Sequence, residues 1–234
     1  MFKIKLAGIN VLVHNKYGYT ELLCRDYVTD EEHTDFEVAA IESDIVNEIK
    51  SADIPITADY AESVCLHREI AERLAEYDAF VLHSALIACD GKGIAFTARS
   101  GVGKSTHIAL WKKVYGKSVR IVNGDKPIVR FSEGVAYGFG TPWCGKENAG
   151  ENIYCKFEAL CFLERGKENV IFPLAAELGA ISLLSQIYIP KDSENAAKTL
   201  ELADGFAQNV SFYKLACNTD DEAARISHNA IMKG

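Results

Sequence analysis

The stretch Gly93-Ile94-Ala95-Phe96-Thr97-Ala98-Arg99-Ser100-Gly101-Val102-Gly103-Lys104-Ser105-Thr106 decides how the chain is read. Gly93 to Thr97 has strand character. Gly101 and Gly103 come next, and glycine lets a backbone take positive φ and approach an anion with no Cβ in the way. From Lys104 to Tyr115 the pattern turns helical, with Ile108, Trp111 and Tyr115 on one face and Gly116 placed to end it. Strand, glycine bend and helix, with Gly-Lys-Ser at the junction, form the pattern of a loop that cradles phosphate. The backbone N–H groups from Arg99 through Ser100, Gly101, Val102, Gly103, Lys104 and Ser105 to Thr106 are expected to ring the phosphates. The helix adds the positive end of its dipole. Lys104 is expected to reach the terminal phosphates and the Ser105 hydroxyl to ligate magnesium. Ala98 stands where the pattern has its first glycine, and alanine serves there if φ stays negative. The expected cofactors are ATP, or a related nucleoside triphosphate, and Mg2+.

Such a loop needs a carboxylate near the metal, at the end of a neighbouring strand. Asp125, after a strand over Val119–Val122, has the required spacing from Lys104. Before the loop, Asp90-Gly91 marks a turn, and Ala79 to Cys89 is a nearly unbroken apolar run that reads as one buried strand. His83 alternates there with Val81, Ala85 and Ile87. Further on, Gly138 to Gly150 is a glycine-rich loop holding Trp143, Lys146 and Glu147, and such loops often shape binding sites. Trp143 and Lys146 are candidates to grip the acceptor or the nucleotide. Arg165, following a strand over Phe157–Leu163, is a candidate to stabilise charge on a transferred group.

The remaining elements are read from periodicity. Strands are expected over Phe2–Leu6, Val11–His14 and Phe36–Ile41, with an exposed acidic connection at Thr29–Asp35. A helix is expected over Glu62–Tyr77, where Leu66, Ile70 and Leu74 recur every four residues. Pro127–Phe131 and Val135–Phe139 suggest a hairpin. Helices are expected over Ala175–Tyr188 and around Ala196 to Ala207, a strand over Val210–Leu215, and a last helix behind a Thr219/Glu222 capping box. The expected architecture is α/β, one domain over residues 1–234 around a mixed central sheet, with residues 1–60 forming a small N-terminal β lobe or an edge sheet.

The net charge of −8 argues against broad nucleic-acid binding. No stretch is apolar enough for a membrane helix, and no secretory leader is read at the start. Seven cysteines, mostly in apolar runs, suggest reduced thiols in a cytoplasmic protein.

Leu82-His83-Ser84, Asp90-Gly91-Lys92-Gly93, Ala98 to Thr106 and Arg120 to Asp125 together resemble the HPr kinase/phosphorylase-like branch of the phosphoenolpyruvate carboxykinase-type kinases. The resemblance runs from about Leu82 to Arg130 and implies an HPr kinase/phosphoenolpyruvate carboxykinase-like core. It implies that His83 lies near the transferred phosphate. The family typically carries two adjacent aspartates after the next strand, one a base and one a metal ligand. Here they read Gly124-Asp125, so Asp125 serves the metal, the proton, or both. Gly140 to Glu147 and Leu163 to Gly166 look like small kinase-like proteins of the same branch. The resemblance also implies possible reverse action with phosphate and a homo-oligomer.

The leading expectation is a kinase that moves the γ-phosphoryl group of ATP onto a hydroxyl of a protein, a peptide or a small molecule. Lys104, Asp125, His83, Glu147 and Arg165 are its candidate catalytic residues, and Ser105 with Asp125 its metal ligands. A nucleotide hydrolase or switch, and a nucleotide-binding regulatory module with little turnover, are the alternatives.

Overall fold

The computed structural model describes residues 1–99 and 101–233. In chain order the strands and helices are β1 (Phe2–Leu6), β2 (Ile9–His14), α1 (Tyr19–Leu23), β3 (Phe36–Ala39), α2 (Glu42–Ser51), α3 (Ala58–Arg73), β4 (Ala79–Val81), β5 (Ala85–Cys89), β6 (Lys92–Thr97), α4 (Lys104–Tyr115), β7 (Val119–Asn123), β8 (Ile128–Ser132), β9 (Val135–Phe139), β10 (Tyr154–Arg165), β11 (Val170–Leu174), α5 (Ala176–Leu183), α6 (Ser193–Asn209), β12 (Ser211–Cys217) and α7 (Asp221–Lys233).

Long strand β10 organises the main, curled mixed sheet. Along one edge it pairs in parallel with β6; along the other it pairs antiparallel with β9 and then in parallel with β12. From β6 the sheet continues through β5 to β7, from β9 through β8 to β4, and from β12 to β11. Alternate side chains face opposite sides, as a strand requires. Leu86 and Leu160 join Phe206 of α6 and Leu183 of α5 on one face. Their neighbours Ile87 and Cys161 join Trp111 of α4 and Ile231 of α7 on the other. Trp111 is fully buried, and its indole N–H donates to Ser227 Oγ of α7 at 3.0 Å. Burial of each such large side chain contributes about 1.5–3 kcal/mol, so α4 is held firmly under the loop that precedes it.

Strands β1, β2 and β3 form a separate three-stranded sheet. Its core is shared with Leu66 and Ile70 of α3, Val81 of β4 and Ile128 of β8. The expected first helix runs instead over Ala58–Arg73 and tightens to a 3-10 turn over Leu74–Tyr77. The segment expected as helix over Ala175–Tyr188 is helical only over Ala176–Leu183; Ile187 pairs with Leu82 in a single bridge. The expected capping box does not form, because the Glu222 carboxylate accepts from Asn169 Nδ2 at 2.8 Å.

The run expected as one strand is two. Strand β4 pairs with β8, β5 pairs with β6 and β7, and the chain breaks at Leu82–Ser84. Main-chain bonds fix the break: Leu82 N–H donates to Pro127 C=O, His83 N–H to Gln186 C=O and Ser84 N–H to Asp125 C=O, at 2.7–3.0 Å. His83 thus stands at a corner of the sheet rather than on a strand face. Among the described residues, no helix is long and apolar enough to cross a membrane.

Candidate functional site

The loop between β6 and α4 bends at Gly101 (φ +77°) and Gly103 (φ +128°), conformations an L side chain resists. Ala98 is not among the positive-φ residues, so alanine is at no disadvantage there. Val102 N–H closes a turn on Arg99 C=O at 3.2 Å, and Gly103 C=O accepts the helical bond from His107 N–H at 2.9 Å. No side chain caps α4 at Gly103. Its first-turn amides, with the positive end of the helix dipole, therefore face outward. Arg99 is exposed, and Ser100 lies outside the described residues.

Three groups converge at the mouth of this loop. Lys104 Nζ lies 3.0 Å from His83 Nε2, 3.5 Å from Ala98 C=O and 4.0 Å from Asp125 Oδ1. His83 Nε2 lies 3.3 Å from the same Asp125 oxygen. One imidazole nitrogen cannot accept from the ammonium and donate to the carboxylate at once. With His83 neutral and Nε2 unprotonated, Lys104 donates to it; with Nε2 protonated, His83 donates to Asp125 and the ammonium must move off. The Lys104 side chain is only 10 % exposed. Burial pulls its pKa below 10.5, with Asp125 opposing.

Asp125 is placed by Asn123, which is buried at the end of β7. Asn123 Oδ1 accepts from the N–H groups of Asp125 and Lys126 at 2.8 and 2.6 Å, while Nδ2 donates to Thr141 C=O and Oγ1. Burial alone would raise the Asp125 pKa. The bond from His83 and the charges of Lys126, His83 and Lys104 outweigh it and hold the group at about 2. Asp125 is therefore ionised throughout the neutral range, which suits a cation ligand better than a proton acceptor. Lys126, which the sequence reading passed over, lies 3.4 Å from Asp125 Oδ2. Its adjacency to Asp125 was the available signal.

The other candidates separate. Arg165, exposed at the end of β10, donates to Gly101 C=O at 2.6 Å and so reaches the loop. Glu147 lines a cavity of about 120 Å³ with Ser105, Gly124 and Cys144. Lys146 is exposed and forms no side-chain hydrogen bond or ion pair among the described residues. Trp143 is turned inward: its indole N–H donates to Ser63 Oγ at 3.1 Å and its ring packs on His67 at 4.7 Å. The loop tip carries a polar pair, and the tryptophan anchors it to α3 instead of presenting a flat face to a ligand. Two positioning groups went unnoticed in the sequence. Thr97 Oγ1 sits 2.8 Å from His83 C=O and 2.5 Å from Gln186 Oε1, tying the end of β6 to the corner that carries His83.

The glycine at 124 has a spatial cause. A Cβ there would lie 2.6 Å from Cys144 C=O and 3.0 Å from Ala149 C=O, so the 144–149 loop occupies the room a second aspartate needs. Among the described residues no cluster of three or more His, Cys, Asp or Glu could hold a metal alone. Magnesium needs no such cage: it keeps waters and takes one or two protein oxygens with phosphate oxygens. The ionised Asp125 and the Ser105 hydroxyl fit that requirement. All seven cysteines are free, and six are buried.

No protein-family model matches the sequence, and no curated protein matches it. Among the solved structures that match is the Hpr(Ser) kinase/phosphatase from Coxiella burnetii, with TM-score 0.38 and 10% identity over 65% of this chain and 97% of that chain.

Proposed function

We propose that the chain binds a nucleoside triphosphate with Mg2+ at the 98–106 loop and transfers the γ-phosphoryl group to a hydroxyl acceptor. The observation that carries this reading is the convergence of Lys104, His83 and Asp125, at 3.0–4.0 Å, on the mouth of a glycine-bent loop that opens an uncapped helix. Loop amides and the α4 dipole favour polyphosphate. Lys104, drawn onto phosphate oxygens, leaves His83 Nε2 free to hold a proton against Asp125. Ser105 and Asp125 would hold Mg2+, which when bound supplies neutralising charge to the phosphates. His83 at Nε2, or Glu147 across the small cavity, takes the proton of the incoming hydroxyl. Arg165, tethered to Gly101, stands beside the loop on the side away from Ser105. Positioning and charge stabilisation account for most of the acceleration in phosphoryl transfer.

The test is ATP labelled at the γ phosphorus, with Mg2+ and a cell extract, followed for label on protein, peptide or metabolite. Lys104→Ala is expected to abolish triphosphate binding and transfer together. Free phosphate without a labelled acceptor would point to a hydrolase. Unchanged affinity in Lys104→Ala would reject the loop assignment.

A further inference from the structure

Strands β6, β10 and β12 run parallel, so their carboxyl ends share one margin of the sheet. In open α/β sheets, ligands occupy the crevice outside those ends. The glycine-bent loop follows β6, Arg165-Gly166 closes β10, and Asn218-Thr219 follows β12. Between them lies a cavity of about 340 Å³, lined by Val102, Thr106, Leu110, Leu163, Arg165 and Thr219, with Cys217 at its wall. The cavity beside Ser105 and Glu147 measures about 120 Å³. Small-molecule pockets occupy roughly 300–1,000 Å³. Only the larger space takes a base with its sugar; the smaller suits a cation with water, or a hydroxyl.

Helix geometry assigns the two ends of the ligand. Ser105 and Thr106 are consecutive on α4, about 100° apart around its axis. Ser105 borders the small cavity and Thr106 the large one. A polyphosphate lying on the loop with its metal-bearing end near Ser105 therefore leads, at its other end, past Thr106 into the larger space. The walls there match a flat heterocycle. Val102, Leu110 and Leu163 offer apolar contact. Arg165, held at Gly101 by its 2.6 Å bond, offers a planar guanidinium at the rim.

We infer that the nucleoside end of the triphosphate occupies the crevice between the 101–106 segment and the ends of β10 and β12. This rests on the function proposed above. The experiment titrates ATP and inorganic tripolyphosphate, each with Mg2+, by calorimetry into wild type, Thr219→Trp and Lys104→Ala. Thr219 is exposed at the cavity mouth, so tryptophan fills the space from outside without entering the core. Thr219→Trp is expected to weaken ATP by about tenfold or more and tripolyphosphate by less than about twofold. Lys104→Ala is expected to weaken both. If Thr219→Trp spares ATP, or weakens both ligands equally, the crevice is not the nucleoside site, while loss in Lys104→Ala keeps the functional reading. If wild type binds neither ligand, the functional reading falls and takes this inference with it. Cys217 gives a second readout, being the one cysteine that is not buried. Saturating ATP is expected to slow its alkylation and tripolyphosphate to leave the rate unchanged; equal rates under ATP and tripolyphosphate would overturn the assignment.

Discussion

Replacing Asp125 by asparagine removes the charge that His83, Lys104 and Lys126 share while keeping the shape of the side chain. The carboxylate is 25 % exposed, so solvent screens it only in part. Its pKa stands at about 2 against an ordinary 3.8. At about 1.4 kcal/mol per pH unit, this difference amounts to ~2 kcal/mol of folding stability. Because the folded-state value is the lower one, that stability is complete above pH 4, falls to about half near pH 3 and is gone below about pH 2. For a chain of this size, ~2 kcal/mol corresponds to a melting point lower by about 4–8 °C. The assay is thermal unfolding of wild type and Asp125→Asn at neutral pH, then urea unfolding of both at pH 4 and 3. The gap should open at neutral pH and close as acid protonates the wild-type carboxyl. An asparagine variant that melts with or above wild type at neutral pH refutes the reasoning, and so does a gap that acid leaves unchanged. In either case the His83 hydrogen bond and the two lysines do not favour the ionised carboxylate as the geometry implies. On the proposed function, the same variant should lose transfer by orders of magnitude.

Trp143→Phe removes the bond to Ser63 Oγ but keeps a ring against His67. It should cost about 1 kcal/mol in urea unfolding and leave triphosphate affinity unchanged; a large loss of affinity would return Trp143 to a ligand-gripping role. Gly124→Asp drives a Cβ into two backbone carbonyls. It should destabilise by roughly 1–3 kcal/mol through overpacking and gain no activity; wild-type stability would show that the 144–149 loop yields freely.

How much was legible in the sequence depended on whether the cause was local. The bend at Gly101 and Gly103 and the start of α4 at Lys104 are set by neighbouring residues, and both stand where expected. Asp125 was singled out because its distance from Lys104 is one helix and one strand, and its carboxylate lies 4.0 Å from Lys104 Nζ. The break at Leu82–Ser84 was hidden: the run stays apolar throughout, and the turn is imposed by segments around positions 125 and 186. Strand β11 was missed because it is an exposed edge carrying Pro173, tolerated where only β12 needs its hydrogen bonds. Helix α1 has only five residues and shows no repeat, whereas α2 was overlooked although Ile41, Ile45 and Ile49 recur every four residues. The inward turn of Trp143 was not legible, because composition says that a loop holds an aromatic ring and says nothing of which way it points.

The corner at positions 82–84 is joined to two remote parts of the chain by three amide-to-carbonyl bonds, and the Thr97 hydroxyl braces it from the end of β6. The amide-to-carbonyl joints are indifferent to side-chain identity; the brace is not. The posture of His83 therefore rests on three backbone seams together with the fully buried Leu82 side chain and the contact between Gln186 Oε1 and Thr97 Oγ1.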